Sequence, residues 1–88
     1  MHLKEGFVLR ELGDEHIVIG EGLTVDFQRL ISLNSSAAFL WRNADGREFS
    51  VDDLTALLLD EYDVDTQEAA DAARDIAQAW LEAGLAEE

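Results

Sequence analysis

The chain of 88 residues has no cysteine and no proline, and six lysines and arginines stand against twenty aspartates and glutamates. Without cysteine there is no disulfide framework, no thiolate nucleophile and no cysteine zinc site. No apolar run approaches the ~18 residues that a membrane span requires. The first residues lack the basic and apolar regions of a secretory signal. These absences predict a cytoplasmic protein that does not enter a membrane.

The formal net charge of −14 restricts the partners of the chain. Nucleic acid would be repelled, because its affinity depends on cationic contacts to phosphate, and anionic membrane surfaces are disfavoured for the same reason. Acidic faces either keep a small domain soluble and monomeric or attract a partner that carries basic residues. The hydrophobic content of 48% predicts a packed core within one domain, residues 1–88.

The first third of the chain alternates in the manner of β-strands. Residues 7–12 and 15–19 predict a hairpin around Gly13 and Asp14. A third strand is predicted over about 27–33, where odd-numbered and even-numbered residues point to opposite faces.

Three helices are predicted after this strand, and each has a capping residue at its start. Asn34 caps the first helix, which begins where the strand ends and runs to about residue 43. Ser50 and Asp53 form a capping box for the second helix, and Asp65 caps the third, which ends at Gly84. Three strands followed by three helices predict an α+β domain of winged-helix type, with a three-stranded antiparallel sheet.

The third helix has an unusually wide apolar face. On a helical wheel the apolar arc covers roughly 200°, about twice what docking on one core requires. The stripe predicted to face the core consists of Ala69, Ala72, Ala73, Ile76, Ala79, Trp80 and Ala83. A second strip beside it consists of Ala70, Ala77 and Leu81. Alanine is a good helix former without being buried, so the extra width is either propensity alone or the wall of a groove for a partner.

Patterns of catalytic or metal-binding residues are incomplete. His16 lies in a predicted strand with no serine or cysteine at a signature spacing, and His2 lies in a terminus predicted to be frayed. Ser35 and Ser36 open a helix as in an acyl carrier protein, but they follow Asn34 and a strand. The acidic segment from 60 to 65 lacks the glycine and glutamate of a calcium loop. The sequence therefore predicts a protein that is not an enzyme, with no catalytic residue, no metal and no cofactor.

Several segments in order resemble the PqqD-like family, named after coenzyme PQQ synthesis protein D. Its central signature is matched by Leu33, Asn34, Ala37, Ala38, Leu40 and Trp41. Its second-helix segment is matched by Gly46, residues 49–54 and Leu58. The pattern continues through Tyr62, Asp63, Val64, Asp65, Asp75, Ile76, Leu81, Gly84 and Leu85. The resemblance covers nearly the whole chain.

The resemblance implies a small non-catalytic domain that binds the leader segment of a ribosomally made precursor peptide. Such domains present the peptide to a modifying enzyme, often a radical S-adenosylmethionine (SAM) protein. Family members take the leader as an extra strand on the third strand, in the cleft against the third helix. The resemblance does not imply membership of the PQQ pathway itself, because relatives serve several peptide classes.

The implied cleft coincides with the strand that ends at Asn34 and with the wide apolar face of the third helix. We therefore predict a peptide-binding site that works by strand addition. Its residues are Arg29, Leu30, Ile31, Ser32 and Leu33 of the third strand and Ala70, Ala73, Arg74, Ala77 and Leu81 of the third helix. The alternatives are a winged-helix DNA-binding regulatory module, which the charge disfavours, an acyl-carrier-like protein, and a weak homodimer through the same edge strand.

Overall fold

An antiparallel sheet and three helices form the domain, which confirms the predicted α+β architecture. The structure is a computed structural model, and it describes residues 1–20 and 31–88. The strands are β1 (His2–Leu3), β2 (Phe7–Leu12), β3 (Glu15–Gly20), β4 (Ile31–Leu33) and β5 (Ala86–Glu87). The helices are α1 (Ser35–Ala44), α2 (Val51–Glu61) and α3 (Thr66–Glu82).

The predicted hairpin is formed by β2 and β3. The two strands pair antiparallel, with Phe7 opposite Gly20 and Leu12 opposite Glu15. The connecting turn is two residues long and begins at Gly13, whose φ is +62°. A positive φ at this position suits glycine and is typical of a tight hairpin turn.

The third strand of the sheet, β4, pairs antiparallel with β3, so the sheet has the order β2-β3-β4. Ile31 lies opposite Val18, which is completely buried, and both Ile31 and Leu33 pack against the core. Ser32, between them, is exposed. The predicted alternation is thus confirmed for residues 31–33, whereas the part of the predicted strand before Ile31 lies outside the described residues.

Each helix begins at the residue that the sequence predicts. The side-chain oxygen of Asn34 accepts a hydrogen bond from the backbone nitrogen of Ala37 at 2.8 Å. Ser50 and Asp53 form the reciprocal capping box of α2, with distances of 2.9 and 3.1 Å. Asp65 caps α3 by accepting from the backbone of Glu68 at 2.8 Å. These caps satisfy backbone donors that have no partner within the helix.

The end of α3 folds back on itself, as predicted. The backbone nitrogen of Leu85 donates to the carbonyl of Trp80 at 2.8 Å, and that of Gly84 donates to Leu81 at 3.2 Å. Gly84 has a φ of +77°, which completes a Schellman motif. Leu85 is buried in the same core cluster as Trp80.

The core stripe of α3 differs from the predicted one by a rotation of the helix. Ala69, Ala73 and Trp80 are buried as expected, but Ala77, assigned to the second strip, is also buried with 2% exposure. The prediction that Ala79 and Ala83 face the core is wrong, because both are exposed. Alanine favours a helix whether it is buried or exposed, so the alanines do not indicate which face packs on the core. The large Trp80 ring, which is buried, is the stronger indicator of that face.

The prediction of a frayed terminus at His2 is wrong. His2 and Leu3 form β1, which pairs antiparallel with β5, and Leu3 is buried. The imidazole Nε2 of His2 lies 2.9 Å from a carboxylate oxygen of Glu87, and the amino group of Met1 lies 2.7 Å from Glu48. These contacts join residues that are 85 and 47 positions apart in the sequence, so no local pattern predicts them.

The helices of the described part of the chain are too short or too polar to cross a lipid bilayer.

Candidate functional site

The candidate site begins with the position of β4 at the edge of the sheet. β4 pairs with β3 on one side, and among residues 1–20 and 31–88 no strand pairs with its other side. Adjacent residues of an antiparallel strand direct their backbone groups to alternate sides. Part of the N–H and C=O groups of Ile31, Ser32 and Leu33 therefore point away from β3, where another strand can pair with them.

The junction between β4 and α1 holds this edge in place. Asn34 separates the last residue of β4 from the first of α1, and its carbonyl accepts from the backbone nitrogen of Ala38 at 2.9 Å. Ala37 and Ala38 are buried, so the first turn of α1 sits close to the rest of the domain. Since no flexible loop separates strand and helix, the carboxyl end of β4 is anchored directly to a helix that packs into the core.

Polar contacts connect β3, the strand that pairs with β4, to β2 and α1. His16 lies opposite Leu33 in the sheet, and its Nδ1 is 2.6 Å from a carboxylate oxygen of Glu11. The other carboxylate oxygen of Glu11 pairs with the guanidinium of Arg42 in α1. The contacts among Glu11, His16 and Arg42 thereby connect β2, β3 and α1. His16 lies in the second strand of the hairpin, as the sequence predicts.

The predicted site residues of α3 divide into two groups. Ala73 and Ala77 are buried, at 0% and 2% exposure, so they have no surface to offer a ligand and belong to the core. Ala70 and Leu81 are partly exposed, and Leu81 also packs against the core cluster. Of the five α3 positions predicted to contact a peptide, Ala70, Arg74 and Leu81 have exposed surface, and for these three the contact role stays a prediction.

Arg74 is exposed on the polar face of α3. Its guanidinium lies 3.4 Å from a carboxylate oxygen of Asp71, which also accepts from Gln67 at 2.9 Å. Because the Arg74 and Asp71 side chains are both more than half exposed, this ion pair is weak and can exchange for another carboxylate. The remaining charged residues of α3, Glu68, Asp75 and Glu82, are acidic.

The strand β4 and the helix α3 both contribute residues that border the hydrophobic core. Ile31, Leu33 and Leu81 are all partly buried and all pack against it. The first two predicted residues, Arg29 and Leu30, lie outside the described residues. Of the ten predicted positions, Ile31, Leu33 and Leu81 border this core, and the role of all ten in peptide binding stays a prediction.

Metal chemistry receives no support from the described residues. Among them, no group of three or more histidines, cysteines, aspartates or glutamates could hold a metal ion. The serines that open α1 differ in exposure: Ser35 is exposed and Ser36 is partly buried. Both follow β4 with Asn34 between, so they sit in a fold unlike the long loop and helix of an acyl carrier protein.

Comparison with known proteins agrees with this architecture. The family model for coenzyme PQQ synthesis protein D (PqqD) matches residues 9–86 of the chain. A solved structure of TbiB1 in complex with the TbiA(beta) leader peptide is similar, with a TM-score of 0.74 and 18% identity. That likeness covers 97% of this chain and 93% of the other, and at this identity it shows the fold alone. No curated protein matches the chain significantly. Because the family match spans most of its length, the chain belongs to the PqqD family.

Proposed function

We propose that the protein binds the leader segment of a ribosomally made precursor peptide and presents it to a modifying enzyme. The protein itself would catalyse no reaction. The enzyme would be a radical SAM protein or another peptide-modifying enzyme. The proposal places the protein in the cytoplasm, because precursor peptides are made there by ribosomes.

The open side of β4 is the observation that carries this proposal. A leader in extended conformation would pair with the backbone of residues 31–33 and would become the fourth strand of the sheet. Backbone pairing tolerates many sequences, which suits a domain that must hold a peptide without reading every side chain. The solved TbiB1 structure lends support by analogy, since that protein is in complex with a leader peptide.

Backbone pairing alone is too weak for a useful complex. Each backbone hydrogen bond contributes about 1 kcal/mol net, because it replaces a hydrogen bond to water. A micromolar complex requires a binding free energy of about 8 kcal/mol. The short β4 offers few such bonds, so apolar side chains of the leader must supply most of the remainder. We assign the partly exposed Ala70 and Leu81 of α3 to these apolar contacts. Arg74 would exchange Asp71 for a leader carboxylate at the rim.

Tethering would explain how a non-catalytic domain promotes a reaction. Once the domain holds the leader, the rest of the precursor stays close to the bound enzyme. For a short flexible linker, its effective concentration at the enzyme is about 1 mM. The modified segment of the precursor need not touch the domain at all. The same domain would thus serve several modified positions along one precursor.

The proposal is tested with the leader of a precursor peptide, for which short reading frames that neighbour the gene are to be searched first. Titration of the fluorescently labelled leader, followed by anisotropy, is expected to saturate with micromolar or tighter affinity. A scrambled leader of identical composition is the control for charge attraction to the acidic surface. Equal binding of both peptides, or no saturation with either, would contradict the proposal. Sedimentation at several concentrations tells whether a second copy of the chain occupies the same edge.

A further inference from the structure

A second concave surface lies between the end of α1 and the outer side of α2. It has a volume of about 600 Å³, within the range of ligand-binding clefts. Its floor is apolar and is formed by Ala44, Phe49, Ala56 and Leu57. Ala44 and Phe49 are buried core residues, whereas Leu57 is partly exposed and Ala56 is exposed. We call this surface the α1–α2 cleft; none of the predicted leader-binding residues lines it.

Acidic side chains border this apolar floor. Asp53, Ala56, Leu57 and Asp60 lie three or four positions apart, so they share one face of α2. One carboxylate therefore stands a helical turn before the apolar pair and one stands a turn after it. This arrangement is complementary to a partner segment that has an apolar side chain in the middle and a positively charged side chain on either side.

Two of the carboxylates that line the cleft already bind a partner within the chain. Glu48 lines it but is bound to the amino group of Met1 at 2.7 Å, and the carboxylate of Asp53 accepts from the backbone of Ser50 at 2.9 Å. Arg47 carries one positive charge in the cleft, whereas Glu48, Asp53 and Asp60 carry three negative charges. The cleft therefore keeps a negative excess around an apolar floor, within a chain whose net charge is −14.

We propose that the α1–α2 cleft docks a partner protein through a segment in which one apolar side chain is flanked by lysine or arginine. The apolar side chain would contact Ala56 and Leu57, and the basic residues would pair with Asp53 and Asp60. Complementary charge speeds the encounter with such a partner, and burial of the apolar anchor slows dissociation. The proposal does not rest on leader binding, because the two surfaces share no residue.

The probe is a labelled helix-forming alanine peptide with one central leucine and lysines three and four positions to either side. Its matched control replaces the lysines by glutamates. The lysine peptide is expected to bind saturably below about 1 mM and to shift the methyl resonances of Ala56 and Leu57. Absence of saturation, or shifts confined to other surfaces, would overturn the proposal.

Two pairs of variants separate cleft docking from diffuse attraction. Ala56→Arg fills the cleft and is expected to weaken the lysine peptide about tenfold or more, whereas Ala79→Arg, at an exposed alanine of α3, leaves most of the affinity. Asp60→Asn is likewise expected to weaken binding more than Asp75→Asn, which removes the same charge from α3. Equal effects within either pair would contradict a defined site. Ala56→Arg should leave leader binding unchanged, so failure of either proposal is recognised independently.

Discussion

Trp41 and Trp80 pack edge to face, with ring centroids 5.4 Å apart and an interplanar angle of 82°. Trp41 belongs to α1, the helix that follows the edge strand directly, and Trp80 precedes Leu81 in α3. Phe49 makes a second edge contact with Trp80, at 6.1 Å and 88°. The three rings therefore fix α3 relative to the helix that anchors β4, and with it the proposed walls of the leader site.

Removal of the Trp80 ring should destabilise the fold severely. Trp80→Ala is expected to cost about 3–5 kcal/mol, because a large buried ring leaves a cavity that the alanine-rich helix cannot fill. A small domain has roughly 5–15 kcal/mol of stability in total, so the variant should be largely unfolded on mild warming. Urea titration measures the loss. Leu59→Ala, at an exposed position of α2, is the control and should change stability by less than about 0.5 kcal/mol.

Acid sensitivity should depend partly on Glu48. A hydrogen bond from the amino group of Met1 to Glu48 lowers the pKa of this carboxyl, and the nearby imidazole of His2 acts in the same direction. A carboxyl with a lowered folded-state pKa stabilises the fold above its unfolded pKa, and this contribution disappears as pH falls through the folded value. Glu48→Gln should therefore be less stable than the parent near neutral pH and equally stable below the lowered pKa.

Urea midpoints of both chains at neutral and strongly acidic pH, in low salt, give the comparison for Glu48. Low salt matters because the carboxylate is exposed and its ion pair is easily screened. A constant difference between the two chains at every pH would contradict the role of the charge.

Most of the fold follows from local signals in the sequence. Asn34, Ser50 and Asp65 each offer a side-chain acceptor just before a helix, and the structure uses all three as caps. The turn at Gly13 and the helix end at Gly84 are likewise local, since each needs one residue with positive φ. Such features depend on neighbours in the chain, so the pattern of residue types is sufficient to locate them.

Features that depend on contacts between distant parts of the chain are not predicted by such local signals. The pairing of β1 with β5 joins two strands of two residues each, from opposite ends of the chain, and neither is long enough to show a period. The face of α3 that packs on the core also differs from the predicted one, because alanines occupy both the buried and the exposed sides of this helix. Ala77 is buried and Ala79 is exposed although the residue type is the same. Ala77, which the sequence assigns to the predicted site and not to the core stripe, is therefore buried.

Leu81 is the position where the helix wall of the leader site is best tested. Leu81→Lys should weaken leader binding about tenfold or more, since a charge replaces an apolar contact, while cooperative unfolding is kept. Ile76→Lys is the matched control, because Ile76 is also a partly buried aliphatic residue of α3 that packs against the core. Anisotropy titration of both variants compares them. The assignment of Leu81 fails if its variant binds the leader as tightly as the parent does.

Proline substitutions in β4 should separate the two sides of the strand. Ile31 and Ser32 are neighbours, so their backbone N–H groups point to opposite sides. One of Ile31→Pro and Ser32→Pro removes a donor to β3 and should weaken the fold, whereas the other removes a donor on the open side. The latter variant should unfold normally in urea but lose leader binding. Full affinity in that variant would argue against strand addition along β4.

Amide hydrogen exchange of residues 31–33, with and without the leader, tests the central claim most directly. In the free protein, amides of β4 that point to the open side should exchange rapidly, because they have no partner among the described strands. Saturation with the leader should protect them, while amides that already pair with β3 change little. Saturating leader that leaves the open-side amides of β4 unprotected would contradict binding by strand addition.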